Sequence, residues 1–212
     1  YSDNMKSVKK KSQEARELLK NKLDIHSNYD HYIFFDFPYL LMGNKPIEES
    51  FIVINILKVF LNKNPNIAVL IKPHPSSDEN LLHLSGINTN SNCYVYSKDK
   101  SPEDFLSLSD LTITKYSTIG IESMLYDNIV LSYNFMNVQE FKVYGEAAHY
   151  CYSATELQYL LNDIFKSDLS FLTYKEVSIQ KNDAFLEDFY PKEFTDYKTI
   201  AFEIEKRLNE KT

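Results

Sequence analysis

Residues Ile67-Ala68-Val69-Leu70-Ile71 form an unbroken apolar run that stops abruptly at Lys72-Pro73-His74-Pro75. A run this short, rich in β-branched residues and polar on neither side, is a strand covered on both faces. Strands of that kind belong to parallel sheets, and parallel sheets need helical crossovers. The rest of the chain supplies the alternation. Tyr32–Phe37 is an aromatic strand ending at Pro38, and a helical stretch runs from Pro46 to Phe60 with Ile52, Ile56, Val59 and Phe60 as its apolar stripe. Further strands are expected at Cys93–Tyr96, Leu111–Thr114 and Ile129–Tyr133. Helices are expected after Ser101-Pro102-Glu103-Asp104, over Thr118–Tyr126, and over Ser153–Phe165, where Ser153 and Glu156 form a capping box. Strand and helix in turn with short connections predict an α/β chain: a Rossmann-like parallel sheet with helices on both faces.

The ends of the chain read differently. Residues 7–23 have helical composition with Ala15, Leu18, Leu19 and Leu23 at helical spacing, and roughly residues 174–210 read as a helical tail. The expected organisation is a helical lead-in or linker over 1–28, a nucleotide-binding unit over 29–170, and a helical extension over 171–212. Tyr1 in place of a start methionine suggests a processed or excised fragment.

In an open parallel sheet the ligand sits beyond the carboxyl ends of the strands. Two motifs fall there. In Lys72-Pro73-His74-Pro75 the prolines stiffen the loop, so His74 is presented in a defined direction. Histidines ordinarily titrate near neutrality, which suits one to donate to a phosphate oxygen or protonate a leaving phosphate. The second motif, Thr114-Lys115-Tyr116-Ser117-Thr118-Ile119-Gly120-Ile121-Glu122, joins a strand to a helix. Ser117 and Thr118 lie at the helix start, where amides, dipole and hydroxyls suit an anion, and Glu122 one turn later can accept hydrogen bonds from a ribose diol. Taken singly, each motif also has a plain structural reading, as a loop histidine, an N-cap and a first-turn acid. As a pair at strand carboxyl ends that the sheet would bring into one crevice, they have the layout of a nucleotide phosphate site.

These residues, with Ser109-Asp110-Leu111 leading into the second motif, resemble the C-terminal half of bacterial glycosyltransferases of the GT-B type. The likeness is strongest to enzymes that build capsule, teichoic-acid or sialylated polymers, and it covers roughly residues 10–165. The resemblance implies a CMP- or CDP-linked donor, with His74 touching or protonating its phosphate and Ser117 and Thr118 binding it. It implies that Glu122, with Tyr116 and Lys72, serves the ribose and base. Lys115 stands where many relatives have Asp, and Tyr126-Asp127-Asn128 replaces a small Gly-Lys-Pro-like turn, so subfamily and donor base stay open. The resemblance also implies a polysaccharide or glycolipid acceptor and an N-terminal acceptor domain, which this chain lacks. A UDP-sugar 2-epimerase-like enzyme and a non-catalytic nucleotide-binding domain are the alternatives.

Other classes are disfavoured. A net charge of -7 gives no general basic face for nucleic acid. Cys93 and Cys151 read as buried thiols, and His26, His31, His83 and His149 show no metal spacing and read as surface or packing residues. No metal and no separate cofactor is expected, the nucleotide-linked donor being a substrate. With four glycines and no Gly-x-Gly-x-x-Gly or phosphate loop, a dinucleotide or ATP site is not expected. The chain reads as cytoplasmic, with peripheral contact to the inner membrane face left open by Lys9-Lys10-Lys11. Asp36 and Asp188 have no evident role.

Overall fold

The computed structural model describes residues 13–38, 46–75, 86–97 and 100–189. The elements are α1 (Gln13–Lys22), β1 (His31–Phe37), α2 (Pro46–Lys63), β2 (Ile67–Pro73), β3 (Cys93–Val95), α3 (Pro102–Leu108), β4 (Leu111–Thr114), α4 (Thr118–Leu125), β5 (Ile129–Tyr133), β6 (Ala148–Cys151), α5 (Ala154–Ile164) and α6 (Asp168–Phe189). All six strands are parallel, in the order β3-β2-β1-β4-β5-β6. The fold is therefore the α/β, Rossmann-like one expected. The order reverses between β1 and β4, and this is where such sheets open a crevice. Register is fixed there by Ile33 beside Val69 on one side and Leu111 on the other.

Every residue of β2 is buried, as its apolar run requires. Successive side chains of β1 serve opposite faces. Ile33, Phe35 and Phe37 join Val53, Leu57 and Leu161 under α2 and α5. Tyr32 and Phe34 join Leu23, Leu70 and Phe105 under α1 and α3. A third cluster, with Ile121, Met124, Tyr144 and Leu186, lies between β5, α4 and α6.

Several local expectations need correction. In α2 the residues turned to the core are Val53, Ile54, Leu57, Phe60 and Leu61, whereas Ile52 and Val59 are exposed. The helix carries apolar residues on most of its circumference, so spacing alone does not choose a face. In α1, Leu18 is exposed and Lys20 is buried, its amine donating to Glu17 Oε1 at 2.9 Å and to Asn28 Oδ1. Ser101 makes no side-chain cap. At α5, Glu156 N donates to Ser153 Oγ at 3.1 Å, but Glu156 Oε2 accepts from Tyr152 N, one residue outside the expected box. β6 was not anticipated. Residues 7–12 with the lysine run, His83, and the tail beyond residue 189, including its expected charged end, lie outside the described residues.

At the amino end of β4 a polar cluster ties the first helix to the sheet. Asp110 accepts from Tyr32 N at 3.1 Å and pairs with Arg16 at 3.3 Å and with His31 Nδ1 at 3.5 Å. Burial alone would raise the Asp110 carboxyl. The His31 contact, the Arg16 and Lys175 charges and the Tyr32 amide outweigh it, and its pKa is lowered. A carboxyl depressed in the folded state adds stability above its unfolded value near 4, which is lost as pH falls through the folded value. Asp110→Asn is expected to lose about 1–3 kcal/mol at pH 7. In urea titrations at pH 7 and pH 3.5, the gap from wild type should shrink at the lower pH.

Candidate functional site

β1, β2 and β4 deliver their carboxyl ends to the reversal point. Asp36 is the acid in an otherwise aromatic strand, and it stands opposite Lys72 in the β1–β2 register. It is 7% exposed. Thr114 Oγ1, from the end of β4, donates to Asp36 Oδ2 at 3.0 Å. Burial pushes the Asp36 carboxyl up, and the neighbouring side chains of Ser117, Thr114, Lys72 and His74 offset that only in part.

His74 is exposed, and its amide donates to Phe37 O at 2.9 Å, which pins the loop after β2 to the end of β1. Lys72 is buried; its amine donates to Pro73 O at 3.3 Å.

Ser117 caps α4 with extended backbone, its Oγ accepting from Ile119 N at 3.3 Å. Its carbonyl accepts from Gly120 N at 3.0 Å and from Tyr144 OH at 2.6 Å. Gly120 is required here. A Cβ at that position would lie 2.4 Å from the Tyr144 ring, so the tyrosine reaches Ser117 only because residue 120 has no side chain. Glu122 is a half-buried acid whose pKa is raised by burial and then by the Asp36 charge, with the neighbouring Thr118 side chain opposing.

The structure thus gathers Lys72, His74 and Ser117 around Asp36, with Thr118 and Glu122 beside them. Tyr116 is 41% exposed and stacks on Phe141 with centroids 4.3 Å apart, so one aromatic face is already covered. Lys115 does not line this group. It is 2% exposed and turns toward α2, where its amine lies 2.5 Å from Glu49 Oε2 as an ion pair without hydrogen-bond alignment, walled by Tyr133 and Phe141. Asp36, and Gly120 with Tyr144, are the participants that spacing did not identify. The signal for Asp36 was available, since an acid one residue from the carboxyl end of an otherwise aromatic and apolar strand must have a partner. His31 packs on Phe171 and His149 against Tyr174, while His26 is exposed. Among the described residues no cluster of His, Cys, Asp and Glu could hold a metal ion, and no helix is long and apolar enough to cross a membrane.

The chain matches no protein-family profile and no curated protein by sequence. Its fold has many solved counterparts. The C-terminal domain of a group 1 family glycosyl transferase, LpcC from Francisella tularensis, superposes with TM-score 0.59 at 9% identity, over 86% of this chain and 95% of that one. The wall teichoic acid polymerase TagF gives TM-score 0.63 at 18% identity, over 94% of this chain and 48% of that one. Anabaena HepE, solved in complex with UDP and glucose, gives TM-score 0.61 at 14% identity, over 96% and 54%. The chain spans about half the length of the latter two and nearly all of the isolated domain. At these identities the likeness is one of fold: the chain has the architecture of the C-terminal domain of glycosyltransferases. The N-terminal domain of a Candida albicans trehalose-6-phosphate phosphatase also superposes, with TM-score 0.55, so the fold alone does not choose a reaction.

Proposed function

We propose that this domain binds the nucleotide-linked donor of a GT-B glycosyltransferase or polyol-phosphate transferase, with the donor's phosphates held at the head of α4. The observation that carries the reading is that the ends of β1, β2 and β4, bearing the buried Asp36, Lys72 and His74, and the α4 cap Ser117, meet at the reversal point of the sheet. An anion there faces the amino end of α4, two hydroxyls and two potential cations. His74 would donate a hydrogen bond or a proton to the departing phosphate, and the helix end and hydroxyls would stabilise the charge that develops on it. Glu122 would accept from the ribose diol, and Tyr116 would lie at the base. The motif pair favours a CMP- or CDP-linked donor and a surface-polymer acceptor, and the likeness to a teichoic acid polymerase agrees with this. HepE, with UDP-glucose bound, makes uridine nucleotides the necessary comparison. Transfer would require an acceptor-binding domain outside this chain, and the working place would be the cytoplasmic side of the membrane.

Thermal unfolding with CMP, CDP, UMP, UDP and ADP in turn tests this. A ligand of the folded state adds about 2.7 kcal/mol at a hundredfold excess over its dissociation constant. The expected result is a clear rise with cytidine nucleotides, absent in His74→Ala, whose unliganded midpoint stays near wild type because the side chain is exposed. A rise with uridine nucleotides only would reassign the donor to a UDP-sugar. No shift with any nucleotide would remove the reading for this domain.

A further inference from the structure

α2 is apolar on two sides. Its core face carries Val53, Ile54, Leu57, Phe60 and Leu61, and the opposite side carries a second stripe. Ile52 and Val59 are 39% and 47% exposed, with the half-buried Ile56 between them. Steps of four and then three residues keep these side chains on one line of the helix, the spacing along which two helices meet. A groove beside the stripe, between α2 and α5, is lined by Ile56, Val59, Phe60, Lys63, Gln158 and Asn162. Apolar residues scattered singly over a surface need no explanation, but an aligned set beside a groove does.

The two ends of the stripe are oppositely charged. Glu48 stands one turn before Ile52 and Lys63 one turn after Val59, both exposed. Neither forms an ion pair among the described residues.

We propose that a second copy of this chain docks on the stripe, α2 against α2 and antiparallel. A twofold axis midway between Asn55 and Ile56 sets Ile52 of one copy against Val59 of the other, and Glu48 against Lys63. Symmetry makes each contact twice. Charge chooses the direction: a parallel pairing would set Glu48 against Glu48 and Lys63 against Lys63. α2 returns from the carboxyl edge of the sheet to its amino edge, as a crossover between parallel strands must. Antiparallel α2 helices therefore turn the two carboxyl edges in opposite directions, and both crevices stay open. The inference does not depend on what the crevice binds.

Sedimentation equilibrium of the chain from about 1 µM to about 1 mM should show a monomer–dimer equilibrium. Ile52→Glu sets a carboxylate against Val59 twice per dimer and should weaken association at least about a hundredfold. Its thermal midpoint as a dilute monomer should match wild type, because the side chain is exposed. Glu48→Lys and Lys63→Glu should each weaken association about tenfold at low salt, and the two together in one chain should restore it. A mixture of Ile52→Cys and Val59→Cys should form a disulfide-linked dimer faster than either variant alone, since like positions lie about 10 Å apart along the helices in this register. The native Cys93 and Cys151 are buried and do not compete. A chain that stays monomeric throughout, or a dimer that Ile52→Glu leaves intact, would overturn the proposal. So would a double charge variant that fails to recover, which would exclude the antiparallel register. A monomer destabilised by Ile52→Glu would mean that the chain's own residues cover the stripe, and would overturn it as well.

Discussion

Gly120→Ala is expected to destabilise the protein by about 3 kcal/mol, the upper end of what overpacking costs. The sign is informative, because in an unobstructed helix interior the same change would stabilise by about 1 kcal/mol. Here the added Cβ would meet Tyr144 Cζ, Cε1 and Oη at 2.4, 2.5 and 2.6 Å. The ring cannot simply move aside: it is fully buried, and its hydroxyl is anchored on the Ser117 carbonyl at 2.6 Å. Any shift that relieves the clash also withdraws that anchor from the residue capping α4. Nucleotide-dependent stabilisation should therefore fall along with the urea midpoint, with the m-value unchanged. Equal stability of Gly120→Ala and wild type would mean that the ring has room to yield and that this glycine is not a constraint on the site.

Lys115→Met has a comparable effect by another route. Lys115 and Glu49 are 1% and 6% exposed at their side chains, so removing the amine leaves a buried carboxylate without its counter-charge. Breaking such a pair costs about 3–5 kcal/mol, whereas replacing both partners with neutral groups of similar volume is often close to neutral. The double variant Glu49→Gln with Lys115→Met should recover most of the loss in a denaturant cycle. If the double variant is as unstable as the single one, the pair's charge is not what matters and packing against Tyr133 and Phe141 is. In this chain the lysine at position 115 is turned to α2 rather than to the reversal point of the sheet. The departure from the motif is thereby accounted for within the core.

The strands were legible because they are nearly pure apolar runs. β2 and β5 are buried throughout, and a run without polar interruption has few other uses. β6 was not legible. Its middle residues, His149 and Tyr150, are half-buried and polar-tipped, and only pairing with β5 makes Ala148–Cys151 a strand. The helices were legible in extent more than in orientation. In α6 the polar Ser170, Ser178 and Asn182 are buried along with Phe171 and Leu186, while Leu169 and Leu172 are 76% and 60% exposed, so apolar periodicity traces its buried side only in part. Asn182 earns its burial by donating to Asn128 O at 3.1 Å, a partner 54 residues away. The candidate site follows the same rule. His74, Ser117, Thr118 and Glu122 announced themselves by their places at strand ends and a helix start. Asp36 announced only that it needs a partner; that the partner is Thr114 depends on β1 and β4 lying side by side, and nothing local states that.

The hydrogen bond from Thr114 to Asp36 joins residues 78 apart in the chain. β1 can pair with β2 as soon as α2 has crossed over, but its second edge has no neighbour until β4 is complete. Pairings across such separations form slowly, and an open apolar edge in the meantime is a template for wrong partners. The central strand of this sheet is thus, during folding, its most vulnerable one. The closing of that edge by β4 both ends the hazard and assembles the floor of the crevice, so a chain that has escaped aggregation has by the same event acquired its site.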